Sequence, residues 1–236
     1  MDPPADFAPG PANLEATPIL DIRHEDVTKV VRLLASVEPP NRSWLQKAHT
    51  FLVDTLRPVY SINEWQPVSL TIRKACGSCS QRMACLEAVG RAVGIPSRVR
   101  ALRVKGSFWY PRFRYLRPFI PKTILLLWPQ FFVEGKWVDF DELYSPLVRL
   151  AETAQHGFAN DAESLFEAVR DTPVDWLGRT CGLACAKSEY NLSQFVVTDE
   201  GFFDTRDEAL GQLGSFQHTL RGRLFEIILG DARSRR

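Results

Sequence analysis

The chain has 236 residues, of which 45% are hydrophobic and 24% charged, and its formal net charge is +1. These proportions indicate a globular protein with one hydrophobic core and make nucleic acid an unlikely partner. The longest apolar run, residues 124–128, is too short to span a bilayer, and the N-terminus is acidic and proline-rich where a signal peptide would be basic and then apolar. We therefore expect a cytoplasmic protein that does not bind membranes.

The first predicted element is an N-terminal arm. Residues 1–18 contain five prolines and few large apolar side chains, which predicts a disordered segment, and we expect residues 19–236 to form one domain. Apolar residues at helical spacing predict a helix over 26–36 and a second helix capped by Ser43. These two helices are expected to form an N-terminal helical layer.

Cys79 follows a glycine turn at the start of the next predicted helix. Ser78 and Gln81 form a capping-box pattern, which places Cys79 at the first helical position. Unpaired N–H groups and the helix dipole favour a thiolate there. The helix is predicted to end at Gly94, before Pro96. This local pattern alone leaves open whether Cys79 is a nucleophile or a small buried residue at a helix cap.

A basic and aromatic insertion, residues 105–122, separates a predicted strand over 99–104 from strands over 124–132 and 136–140. The segment 91–122 carries nine basic residues and no acidic one. Such a surface suits an anionic small molecule or an acyl-carrier or CoA-type thioester. In the alternative interpretation, the aromatic rings cover a small core and the arginines are solvated. The residues predicted to bind substrate here are Trp109, Tyr110, Arg112 and Arg114.

The C-terminal part is predicted to contain four further elements. A helix is expected over 161–170, and two short strands around 195–203 are expected to be joined by a turn over 198–201. A last helix is expected from about Arg206, and the glycines at 211 and 214 could divide it.

Three sequence stretches occur in the order found in the transglutaminase-like superfamily. They are Gly77-Ser78-Cys79, the helix end Gly94-Ile95-Pro96-Ser97-Arg98, and Val133-Glu134-Gly135-Lys136-Trp137-Val138-Asp139-Phe140-Asp141. The chain resembles that superfamily over about residues 70–144. The resemblance implies an α+β, papain-like fold in which the helix carrying Cys79 packs on an antiparallel sheet, with N-terminal and C-terminal helices. The core would cover about residues 68–144, and residues 145–236 would form a C-terminal extension.

The resemblance also implies a catalytic triad, from which one member is missing. Cys79 matches the nucleophile and Asp141 the third triad member, but Leu126 occupies the histidine position, nine residues before the turn glycine. Trp128 and Gln130 match positions that are usually aromatic and glutamate, so we count them among the substrate-binding residues. The nucleophile is therefore predicted without its usual base.

Three hypotheses accommodate the missing histidine. A base could be recruited from elsewhere, for which His218 in the C-terminal helix is the candidate, although each histidine alone is more typical of a surface or capping position. A thioester donor could react without a protein base. Alternatively, the chain could be an inactive binding module, or could perform other chemistry in the same pocket. Our prediction is acyl or aminoacyl transfer through a Cys79 thioester in a small biosynthetic pathway, without a cofactor.

The five cysteines are expected to be reduced, since their number is odd and no secretion signal is recognised. Cys76 and Cys79 form a C-x-x-C pair, and Cys181 and Cys185 a C-x-x-x-C pair, so a zinc site or a redox dithiol is an alternative. The full helix predicted directly after Cys79 disfavours a zinc knuckle, and we predict no metal. Cys85 is predicted to lie in the core.

Overall fold

A central helix packed on a four-stranded antiparallel sheet organises the structure, which is a computed structural model. It describes residues 8–35, 39–113, 117–144, 158–160, 164–172, 175–179 and 191–214. The described helices are α1 (Glu25–Leu33), α2 (Arg42–Thr55), α3 (Val68–Lys74), α4 (Cys79–Ala92), α5 (Leu165–Asp171) and α6 (Arg206–Leu213). The described strands are β1 (Arg57–Pro58), β2 (Cys76–Gly77), β3 (Ser97–Lys105), β4 (Thr123–Val133), β5 (Lys136–Asp139) and β6 (Val196–Phe203). The predicted α+β class, in which the helix carrying Cys79 packs on an antiparallel sheet, is confirmed.

Helix α4 is buried on all its faces, because α1, α2, α3, α5 and the sheet surround it. Its three buried charged residues are therefore all paired. Arg82 contacts Glu167 at 3.1 Å, Glu87 contacts Arg206 at 2.6 Å, and Arg91 donates to backbone carbonyls, among them Ser97 O at 2.8 Å. The spacing of apolar residues in the sequence predicted only one buried face of this helix. Charged residues can be buried on the other faces because each has a partner of this kind.

The sheet has the strand order β5-β4-β3-β6, and every neighbouring pair is antiparallel. Strands β4 and β5 form the predicted hairpin, whose turn residues Glu134 and Gly135 both have positive φ angles, 55° and 75°. This conformation matches the twist of a two-residue hairpin turn. The register places Gln130 opposite Asp139.

Two strand predictions differ from the structure. The segment 196–203 forms one strand, not two strands joined by a turn. Gly201 (φ 89°) lies beside a register shift in the pairing of β6 with β3, so the chain there forms an irregularity within the strand. A glycine in a strand can produce a bulge as well as a turn. The alternating arginines of β3 do not all lie on a wet face, since Arg98 is buried between the rings of Trp137 and Phe202, at 4.2 and 4.1 Å.

The N-terminal segment from Gly10 onward, predicted as part of the disordered arm, is packed against the core. Asn13 is buried and donates to Ser97 O at 3.3 Å and to Asp204 Oδ1 at 3.0 Å. Arg91 donates to Ala12 O and Glu15 O at 2.9 and 3.0 Å. These polar contacts hold a segment that has few apolar groups of its own. Residues 1–7 lie outside the described residues.

Two helix ends refine the predictions. Helix α2 begins after Asn41, whose side chain accepts a hydrogen bond from Trp44 N at 3.0 Å, so Asn41 and not Ser43 is the cap. Helix α6 ends at Leu213 before Gly214 (φ 77°), as a glycine break predicts, and the predicted continuation lies outside the described residues. Within the described part of the chain, no helix combines the length and apolarity that a membrane crossing requires.

Candidate active site at Cys79

The first turn of α4 holds Cys79 through the predicted capping box. Ser78 Oγ accepts a hydrogen bond from Gln81 N at 3.3 Å, and Ser78 N donates to Gln81 Oε1 at 2.9 Å. Gln81 Nε2 donates further to Ser61 Oγ at 3.3 Å and to Asn63 O at 2.9 Å. The helix start is thereby tied to the loop that precedes α3. The thiol of Cys79 is half-buried and free.

Cys79 lines a cavity of about 170 Å³. Six parts of the chain surround it: the loop 58–64, the start of α4, the insertion 105–122, the first residues of β4, the start of α5, and helix α6. Most of the wall is apolar. The lining residues are Pro58, Val59, Tyr60, Ser61, Ile62, Glu64, Ser78, Cys79, Ser80, Phe108, Trp109, Arg112, Phe113, Ile120, Pro121, Ile124, Leu125, Leu126, Ser164, Leu165 and Leu210.

Leu126 lies in this same cavity wall, so an aliphatic side chain at the expected histidine position lines the cavity together with Cys79. No histidine occurs among the described lining residues. The lining does include a carboxylate, Glu64, which accepts a short hydrogen bond from Ser80 Oγ. The described wall therefore offers Cys79 an apolar surface where an imidazole would otherwise stand.

Asp141 and Trp128 are both buried, and neither belongs to the described lining of the cavity. Trp128 Nε1 donates to Asp141 Oδ1 at 3.2 Å. Asp141 Oδ2 is buried, receives no hydrogen bond from the described residues, and lies 3.6 Å from Arg179 Nη2. Burial, with a smaller contribution from the neighbouring Glu142, raises the pKa of Asp141 to about 8. The indole thus holds one oxygen of the carboxyl group, and the other oxygen lies within ion-pair distance of Arg179.

Gln130 belongs to a buried polar chain and does not line the cavity in the described residues. Its Oε1 accepts from Arg98 Nε at 2.7 Å, and its Nε2 donates to Asp139 Oδ1 at 2.9 Å. Arg179 donates to the other oxygen of Asp139 through a short contact. This arrangement cross-links β3, β4 and β5. Its substrate-binding role stays a prediction, as does that of Trp128.

The insertion contributes Trp109 and Arg112 to the cavity wall. Tyr110 is exposed instead, with the guanidinium of Arg117 at 5.5 Å from its ring centre. Arg114 lies outside the described residues. The structure therefore brings Cys79, Trp109 and Arg112 together and places Tyr110 at the surface.

The described histidines are both engaged in structural contacts. The His24 side chain caps α1 by accepting from Asp26 N at 3.2 Å. His49 is fully buried, its Nε2 donates to Phe166 O at 2.5 Å, and its Nδ1 accepts from Tyr144 OH at 2.8 Å. Burial lowers the pKa of His49 to about 4, so the imidazole is neutral at physiological pH. His156 and His218 lie outside the described residues, so recruitment of His218 stays a prediction.

The described cysteines differ in their surroundings. Cys76 is half-buried but does not line the cavity, while Cys85 is fully buried, which raises the pKa of its thiol. The described residues contain no cluster of three or more histidine, cysteine or acidic side chains able to hold a metal ion. Cys181 and Cys185, needed for the alternative zinc site, lie outside the described residues.

Residues 36–142 match the family model of the transglutaminase-like superfamily. This segment, a little under half of the chain, is similar to a transglutaminase-like core. No curated protein matches the chain. A solved structure named "Putative Cysteine Protease", from Cytophaga hutchinsonii, is similar at 15% sequence identity and a TM-score of 0.41, covering 54% of this chain. The present chain spans 39% of that protein's length.

Sequence reasoning missed one residue that organises the transglutaminase-like core around Cys79. Arg206, the first residue of α6, donates to Ser80 Oγ at 3.0 Å, to Glu87 at 2.6 Å and to Leu127 O at 3.2 Å. It joins the first turn of α4 to β4. The one feature of the sequence that could have indicated this role is that Arg206 begins a predicted helix. A basic residue in the first turn is unfavourable unless an acidic partner compensates for its charge.

Proposed function

We propose that the protein transfers an acyl or aminoacyl group from an activated thioester donor to an amine, through a covalent Cys79 thioester, in a small cytoplasmic biosynthetic pathway. The observation that carries this proposal is the location of Cys79, at the capped start of a buried helix and in the wall of an apolar cavity. A half-buried thiol at a helix start can react, and the cavity offers space for an acyl group.

The proposed reaction has two steps. In the first, the Cys79 sulfur attacks the donor carbonyl, the donor carbon–sulfur bond breaks, and the departing thiol takes up the proton that Cys79 gives up. In the second, the acceptor amine attacks the enzyme thioester, an amide forms, and the proton returns to Cys79. Backbone N–H groups in the first turn of α4 would stabilise the negative oxygen that develops in both steps.

The donor class follows from the missing base. Leu126 cannot accept a proton, so the described wall gives no imidazole that would activate Cys79 or protonate an amine leaving group. A thiol is a better leaving group than an amine and needs no such protonation. Cleavage of an ordinary peptide bond is therefore less compatible with this site than transfer from a thioester.

Mass spectrometry of the intact chain tests the proposal directly. The full-length protein is incubated with a short-chain acyl thioester of N-acetylcysteamine, and the modified residue is located by peptide mapping. We expect one acyl group on Cys79, released as an amide when a primary amine is added. The Cys76→Ala variant should still be acylated, because Cys76 does not line the cavity, whereas Cys79→Ala should not. Acylation distributed over several cysteines, or none at Cys79, would contradict the proposal.

A second candidate is a binding module that retains the transglutaminase-like core without acyl transfer, or with other chemistry in the same pocket. Two observations favour it. Leu126 makes the cavity more apolar, and Asp141, which lacks a triad histidine at position 126, already accepts a hydrogen bond from Trp128. This function predicts reversible ligand binding by the Cys79→Ala variant together with no covalent adduct on the unmodified chain.

A further inference from the structure

The cavity contains one strongly polar group that the proposed reaction does not use. Arg112 belongs to the described wall, and its Nη2 is buried without a hydrogen-bond acceptor among the residues that the structure describes. Buried polar groups in proteins nearly always have a partner, so we expect this donor to have an acceptor beyond the described residues. Its guanidinium cannot lose its charge at physiological pH.

The guanidinium of Arg112 is held in position by the fold. Its Nε donates to Asn160 Oδ1 at 2.7 Å, and its central carbon lies 5.5 Å from the ring centre of Phe158. Asn160 is itself fully buried and donates to Phe108 O. One edge of the guanidinium is thus fixed by the protein, while Arg112 also lines the cavity.

We infer that the cavity binds a small carboxylate with an apolar body, whose carboxylate pairs with Arg112. A carboxylate matches the donor geometry of a guanidinium and makes charge-assisted hydrogen bonds with it. Of the nine basic residues in segment 91–122, Arg112 is the one that lines the described cavity, while Arg100 and Arg103 are paired with Asp199 and Glu200. Glu64, the carboxylate of the described wall, is engaged by Ser80 Oγ.

The size of the cavity limits the apolar body. A dry engineered cavity of roughly 150 Å³ holds one benzene molecule, and this cavity measures about 170 Å³. The body of the ligand is therefore one aromatic ring or an alkyl chain of similar volume. Phe113, Trp109 and Leu125 are among the side chains that would contact it. Long acyl chains do not fit this volume.

Calorimetric titration with a matched pair of probes tests the inference. Phenylacetate and phenylacetamide have the same ring and differ in charge, and each is titrated into the full-length chain. We expect the carboxylate to bind at least about tenfold more tightly than the amide, and added salt to reduce this difference. Equal affinities for the two probes, or no saturable binding of phenylacetate, would overturn the inference.

Two variants distinguish Arg112 from the general positive charge of the insertion. Arg112→Gln should reduce phenylacetate affinity to that of the amide. Arg117→Gln, which removes an exposed arginine of the same insertion that does not line the cavity, should keep the tenfold preference. Equal losses in both variants would contradict a specific site. If Arg112→Gln does not fold, the comparison of the two probes on the unmodified chain still tests whether the cavity prefers a carboxylate.

This binding site does not depend on the acyl-transfer proposal. The titration is repeated on Cys79→Ser, in which the thiol is absent and only reversible binding is measured. Phenylacetate binding together with failure to acylate Cys79 would support the carboxylate site and reject acyl transfer. Acylation of Cys79 with no preference for the carboxylate probe would support acyl transfer and reject the carboxylate site.

Discussion

Leu126 and Cys79 line the same cavity. Leu126 lies in strand β4, and Cys79 is the first residue of helix α4. The resemblance to the transglutaminase-like superfamily placed a histidine at position 126 and an aspartate at 141. The structure places Leu126 in the wall of the cavity that Cys79 also lines, and Asp141 Oδ2 has no hydrogen bond from the described residues. The aliphatic side chain of Leu126 therefore occupies the position from which a histidine would contact the other two members of the triad.

Leu126→His should give the thiol a base. Because Leu126 lines the cavity with Cys79, an imidazole there can take the thiol proton, and general-base catalysis typically contributes about 10²–10⁴-fold in rate. We expect hydrolysis of a short acyl thioester to rise at least tenfold, within that range. The gain should appear as pH rises through the imidazole pKa, since only neutral imidazole accepts the proton.

The matched control for this variant is Leu126→Asn, which adds polarity without a base near neutral pH. It should leave the rate unchanged, and Leu126→His combined with Cys79→Ala should show no gain. An equal gain in the asparagine variant would mean that hydration of the cavity, not proton transfer, raises the rate.

Asp141→Asn should stabilise the protein above about pH 7. Burial raises the Asp141 pKa from 3.8 to about 8, so between these values the folded state binds a proton that the unfolded state has lost. Stability contributed by this group is present below pH 4 and declines as pH rises towards 8. Each unit of pKa elevation corresponds to about 1.4 kcal/mol, and the ion pair with Arg179 at 3.6 Å opposes this cost.

Urea unfolding at a series of pH values measures this effect. The difference in free energy of unfolding between Asp141→Asn and the unmodified chain should grow from pH 4 to pH 8 in favour of the variant. A carbon-13 NMR titration of the Asp141 carboxyl group checks the assignment independently. A difference that is constant with pH would show that Asp141 is already ionised in the folded protein.

The sequence predicted the features that depend on neighbouring residues. Ser78 and Gln81 are three positions apart, so their capping box was visible, and the β4–β5 hairpin was marked by its glycine turn. Contacts between distant residues were not predictable. The alternation of apolar and basic residues around Arg98 indicated a solvent-exposed strand face. Trp137 of β5 and Phe202 of β6 instead enclose the Arg98 guanidinium. Local periodicity cannot show that a second element will cover a charged side chain.

Gly106→Ala should open one wall of the cavity. A Cβ atom at this position would lie 1.9 Å from Pro121 O, in the backbone segment that closes the insertion through the Gly106 N–Lys122 O hydrogen bond of 2.8 Å. Overpacking of this kind typically costs about 1–3 kcal/mol. We expect lower stability in urea and weaker phenylacetate binding, because Pro121 and Phe108 line the cavity.

Gly211→Ala serves as the matched control. Gly211 lies within α6, and a Cβ atom there would have no heavy atom within 4 Å. Alanine favours a helix over glycine by up to about 1 kcal/mol, so this variant should be slightly more stable and bind phenylacetate normally. If Gly106→Ala behaved in the same way, the close approach of Pro121 would not constrain the insertion.

The Glu87–Arg206 pair should stabilise the core and also orient the first turn of α4. The two side chains are 0% and 2% exposed, and Arg206 reaches both Ser80 Oγ and Leu127 O. Removal of one partner of a buried ion pair typically costs about 3–5 kcal/mol, whereas replacement of both by apolar residues is often nearly neutral. We therefore expect Arg206→Leu to be strongly destabilising and Glu87→Leu/Arg206→Leu to recover most of the lost stability.

The rate of Cys79 alkylation by iodoacetamide separates these two roles. The double variant should regain stability but not the unmodified rate, because the contacts of Arg206 with Ser80 and Leu127 are still missing while Ser80 directly follows Cys79. Peptide mapping must confirm that the label is on Cys79 and not on Cys76. Recovery of both stability and alkylation rate would show that Arg206 acts only through its ion pair. Positioning of the helix start would then depend on the Ser78–Gln81 capping box alone.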